Sequence, residues 1–88
     1  MPLDVIIDRI TRMEKYFDTI KNAVRNGSFK NEGEQAEMLY ELIKYYEGGQ
    51  WLFDYECDEH GELPSDLKRG VLSQDGIYNL LADIEQAE

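Results

Sequence analysis

The chain has 88 residues, a mass of 10.3 kDa, and nineteen acidic against nine basic residues, for a net charge of −10 and a pI near 4.4. Its 42% apolar and 11% aromatic content is too rich for a disordered acidic tail, and no uncharged run approaches the roughly 20 residues of a membrane span. The acidic balance argues against direct nucleic-acid binding, and a lone cysteine with no signal-peptide pattern excludes an internal disulfide framework and fits the reducing cytoplasm.

The charge is unevenly placed. Residues 1–30 carry six bases and four acids, a net +2, whereas residues 31–88 carry three bases and fifteen acids, a net −12. A basic first helix beside an acidic remainder is the plain consequence.

Leu3, Ile6, Ile10, Met13, Phe17, Ile20 and Val24 recur at alternating spacings of three and four, a heptad stripe widened by Ile7. Asp4 and Asp8 early and Arg25 late suit the helix dipole, and Asn26-Gly27 supplies a stop. The pattern predicts a helix over about 3–25. A short connection follows, with Asn31 as an expected N-cap and Glu34 as its capping-box partner. A second helix is predicted over about 32–47, with Ala36, Leu39, Ile43 and Tyr46 facing inward and Gly48-Gly49 ending it. Two helices so joined make an antiparallel hairpin.

The segment 51–58 alternates like a strand, yet Trp51, Leu52 and Tyr55 also share a helical face. No second strand-like run exists to pair with it, so a short helix or irregular packed segment is favoured. An acidic loop is expected next, with Gly61 and Pro64 as breakers and one helical turn at 65–69. Ser73 is the expected N-cap of a final helix over about 74–87, with Ile77, Leu80, Leu81 and Ile84 inward. The fold class is therefore all-α, a single domain over 1–88: the hairpin, the acidic loop and the C-terminal helix.

Asp54, Glu56, Asp58, Glu59, Glu62 and Asp66 place six carboxylates in thirteen residues. The spacing fits a calcium loop poorly: numbered from Asp54, the sixth position is Glu59 and the twelfth is Ser65. Asp54, Glu56, Asp58 and Glu62 are the metal ligands of an alternative reading, a protein stabilised by metal through residues 54–66. Cys57 and His60 are too few for a zinc site, and carboxylates around Cys57 oppose a reactive thiolate. No phosphate loop, nucleophile elbow or metalloprotease motif occurs, so no enzyme and no cofactor are expected. The favoured reading is an acidic protein-interaction module in the cytoplasm. Trp51, Asp54, Tyr55, Glu56, Asp58, Glu59 and Glu62 form its surface for a basic protein partner, away from membranes. A homodimer through the long stripe of the first helix is an alternative. Lys68-Arg69, the only basic pair of the acidic half, is expected to neutralise the loop before it.

Three runs bear a resemblance. They are Tyr45-Tyr46-Glu47 with Gly49-Gln50-Trp51, Asp54-Tyr55-Glu56 with Asp58-Glu59 and Gly61-Glu62-Leu63-Pro64, and Asp66-Leu67-Lys68-Arg69-Gly70-Val71-Leu72-Ser73 with Asp75-Gly76, Tyr78 and Leu80-Leu81. Together with Arg9-Ile10 and Arg12-Met13-Glu14, the chain resembles the small bacterial domain-of-unknown-function family numbered 4298. The resemblance implies a small bacterial intracellular protein. It implies no activity and no site residue.

Overall fold

The computed structural model describes residues 2–87. Four α-helices and one 3-10 turn make up its regular structure, with no strand among the described residues. They are α1 (Leu3–Arg25), α2 (Gly33–Glu47), α3 (Gln50–Glu59), the 3-10 turn Gly70–Leu72, and α4 (Gly76–Ala87). The 23 residues of α1 span about 34 Å at 1.5 Å per residue, which sets the 37 Å long axis of the molecule. Helix α1 is the spine: α2, α4 and the 3-10 turn all pack on it.

The heptad stripe of α1 is buried from Ile6 through Ile20, including Ile10, Met13 and Phe17. Leu3 remains 45% exposed, and Val24 is only partly covered while Ala23 is buried. The chain's own helices cover this stretch of the stripe. Two polar residues lie inside it, Arg9 and Glu14; both belong to the site described below.

The inward face of α2 differs from the expected one. Leu39, Leu42 and Tyr45 are buried, whereas Ala36, Ile43 and Tyr46 are half-buried. The helix is turned so that Leu42 and Tyr45 face the core in place of Ile43 and Tyr46. The predicted capping box is absent as well. Gly33 takes a positive φ of 60° at the entry, Glu32 is the N-cap without a side-chain bond, and the Lys30 N–H donates instead to Gln35 Oε1 at 2.7 Å.

Residues 50–59 form α3, the helical option for the ambiguous segment. Only Gly48 and Gly49 separate it from α2, and the bend needs both. A Cβ on Gly48 would stand 2.7 Å from the Lys44 carbonyl oxygen, and Gly49 sits at φ +93°, a region L side chains rarely adopt. The acidic segment expected as a loop is thus helical over its first half.

The chain after α3 also departs from expectation. Residues 65–66 make a turn without a helix, and Gly70 opens the 3-10 turn instead of ending one. The Ser73 N–H closes that turn on the Gly70 carbonyl at 3.0 Å, and α4 begins only at Gly76, two residues later than expected. Gly76 is therefore a first-turn residue. A Cβ there would approach Ser73 Oγ at 2.5 Å and Gly70 O at 3.1 Å. Val71, Leu72, Ile77, Leu80 and Ile84 close the core from this side.

Candidate functional site

Arg9 sits on the buried face of α1, between Ile6 and Met13. An unpaired guanidinium there would carry a large desolvation cost. Its partner comes from α3. Arg9 Nε donates to Asp54 Oδ2 at 2.9 Å, and Nη2 pairs with Oδ1, a bidentate fork on a carboxylate that is 0% exposed. The Tyr45 hydroxyl of α2 donates to the same Oδ2 at 2.7 Å. Three helices thus meet on one carboxylate. The Asp54 bond holds the Arg9 guanidinium above its ordinary pKa. Burial, and then the Asp54 bond, push the Tyr45 phenol well above its usual value.

That shift has a consequence at high pH. In the unfolded chain a tyrosine ionises near about 10, whereas folded Tyr45 keeps its proton. Above that pH the folded state holds more protons than the unfolded one, so stability falls as pH rises. Melting temperatures measured from about pH 8 to pH 11.5 are expected to fall more steeply for the native protein than for Tyr45→Phe. Parallel curves would show that solvent reaches the phenol.

A second set of bonds fixes the segment after α3. The Val71 N–H donates to Glu14 Oε1 at 2.7 Å, and Trp51 Nε1 donates to the Val71 carbonyl at 2.9 Å. Both backbone polar groups of Val71 are therefore engaged, its N–H by α1 and its carbonyl by α3. Arg69 pairs with Asp58, donates to the Pro64 carbonyl, and reaches the Leu67 carbonyl at 3.1 Å. The basic pair does neutralise the preceding acids, but through Arg69 alone; Lys68 forms no ion pair among the described residues.

The surface residues expected from sequence are divided by this arrangement. Asp54 is withdrawn into the core, and Asp58 is half-buried against Arg69. Glu56, Glu59 and Glu62 are exposed. Two of the four alternative metal ligands are thus bonded to arginines, and no group of three or more His, Cys, Asp or Glu side chains among the described residues is placed to hold a metal ion. Trp51 and Tyr55 are half-buried in an aromatic row: Trp51 stacks on Tyr55 at 5.1 Å and meets the edge of Tyr46 at 5.3 Å. The Glu59 carboxylate, first by its charge and then by its bond, raises the Tyr55 phenol. Burial, then Glu62, raises the Cys57 thiol, away from the reactive thiolate.

Sequence reasoning missed the apolar part of this surface. Leu52 and Phe53 are 52% and 45% exposed, Leu52 opposite the inner side of the helix that holds Asp54 and Cys57 and Phe53 at its edge, one turn before Cys57. Leu52, Glu56 and Glu59 follow one another at helical spacings of four and three. Phe53 joins Leu3 and Glu62 around a small hollow above Cys57. The usable signal was the adjacency of Leu52 and Phe53, which cannot both turn inward once Asp54 does.

No helix among the described residues is long and apolar enough to cross a membrane. No curated protein and no solved structure matches the chain. A family model matches residues 10–87, nearly the whole length, in agreement with the motifs between Tyr45 and Leu81. The chain belongs to the family described as Domain of unknown function, DUF4298.

Proposed function

We propose that the protein is a non-enzymatic interaction module whose working surface is the outer face of α3. The observation that supports this is the combination of exposed Leu52 and Phe53 with Glu56, Glu59 and Glu62, none of which is ion-paired among the described residues. Apolar side chains flanked by carboxylates without an ion pair suit a partner with an apolar centre and a basic rim. The aromatic row beneath and the Arg9–Asp54 pair behind hold α3 rigid, which lowers the ordering cost of binding. The reading places the protein in the reducing cytoplasm, where the buried, weakly acidic Cys57 stays a thiol. A metal-stabilised role gains no support, because Asp54 and Asp58 are already engaged by arginines.

The test compares the native protein with the Glu56→Lys/Glu59→Lys/Glu62→Lys variant as immobilised bait in bacterial lysate. A partner retained at low salt, weakened at higher salt and lost with the triple variant is the expected result. Equal capture by both baits, or no salt-sensitive partner at physiological ionic strength, removes this reading.

A further inference from the structure

Two carboxylates are nine-tenths or more buried, and they are treated differently. Asp54 has a bidentate arginine and a tyrosine. Glu14, 9% exposed, has only the Val71 N–H on Oε1; its Oε2 accepts no hydrogen bond from the described residues, and no cation pairs with it. No fully buried side-chain oxygen among the described residues lacks a partner, so Glu14 Oε2 is reached by solvent and open to a ligand. Glu14 also lines a groove of about 660 Å³ between α1 and the 64–68 segment.

The groove has an apolar bed of Ile7, Pro64 and Leu67. Asp18 and Asp66 stand along it with Lys15 and Lys68, so its charge is net negative. The two lysines are exposed and form no ion pair, whereas Glu14 is fixed by its bond to Val71. The 64–68 wall is fixed too, since Arg69 grips the Pro64 and Leu67 carbonyls. A preformed, largely apolar cleft with a fixed carboxylate at its edge is the usual form of a recognition pocket.

We infer that this groove receives a lysine or arginine side chain of a partner polypeptide, its aliphatic stem on Ile7, Pro64 and Leu67 and its cationic head on Glu14. The inference rests on the proposed function only for the partner being a basic protein; the residues are different. The side chain is matched on both counts, because an alkyl stem covers apolar surface while its head stays polar, and a charge-assisted bond to a fixed carboxylate is the strong kind.

The test uses capped tripeptides, acetyl-Ala-Lys-Ala-amide and acetyl-Ala-Arg-Ala-amide, with the norleucine peptide as a neutral match and n-butylamine as a free amine. Binding is followed by amide chemical shifts of Thr11, Leu67 and Lys68 in the full chain. The basic peptides are expected to shift these amides, with norleucine about tenfold weaker or worse. Glu14→Gln should abolish that preference. Glutamine can keep its carbonyl oxygen on the Val71 N–H, so an unchanged melting temperature and Trp51 emission certify the fold. The Glu56→Lys/Glu59→Lys/Glu62→Lys variant should bind the peptides as the native protein does, so failure of the α3 surface and failure of the groove are read separately. Equal binding of norleucine, an unaltered preference in Glu14→Gln, binding of n-butylamine alone, or no shift at about 10 mM peptide each overturns the inference.

Discussion

Arg9→Met is expected to cost about 3–5 kcal/mol, because it leaves the Asp54 carboxylate buried without its counter-charge. A chain of this length has total stability of only about 4–13 kcal/mol, so the variant should lose a large share of it. Asp54→Asn should cost a comparable amount by stranding the guanidinium. The pair itself contributes far less than either loss suggests, since desolvation offsets most of its attraction. A triple replacement, Arg9→Met/Asp54→Leu/Tyr45→Phe, removes every polar atom of the network together and is expected to recover most of the stability. Urea unfolding followed through Trp51 fluorescence measures all three proteins. A single-replacement cost under about 1 kcal/mol, the range of exposed ion pairs, would mean that water reaches the pair.

Leu42→Ala is the second large effect. Leu42 is 0% exposed in the centre of α2, and truncating it should cost about 2–5 kcal/mol from lost transfer energy and the cavity left behind. Ile43→Ala, one position on and only half-buried, should cost clearly less. The comparison reads the rotation of α2 directly. If Ile43→Ala were the more damaging, the inward face would be the one that spacing alone suggested.

The rotation also explains what could be read beforehand. In α1 the apolar residues fall in one narrow stripe separated by charges, so a single phase fits, and Ile6 to Ile20 were legible. In α2, Leu39, Leu42, Ile43, Tyr45 and Tyr46 are all apolar enough to face inward, and two phases fit equally. Only docking against α1 and the demand of Asp54 for the Tyr45 hydroxyl decide between them. The acidic segment misled for a related reason. Alternating carboxylates look like one solvated run, but a helix at 50–59 sends Asp54 inward and Glu56 outward. The clue lay elsewhere in the chain: Arg9 and Glu14 interrupt the apolar face of α1, and a charge on such a face requires a partner. Which partner could not be read, because Asp54 is 45 residues from Arg9 and Val71 is 57 from Glu14. The 3-10 turn at Gly70–Leu72 was illegible for the same reason, since two of its bonds go to distant side chains.

The Arg9–Asp54 bond also bears on where the chain can be cut. The family match opens at Ile10, one residue past the arginine, while Tyr45 and Asp54 lie inside it. A chain trimmed to the matched stretch would keep the carboxylate and the phenol and discard the cation that neutralises them, along with the first two turns of α1. The limit of the family-model match is thus not a boundary of cooperative structure in this chain. Any fragment or fusion made from this chain should carry residues 3–9 as part of the folding unit.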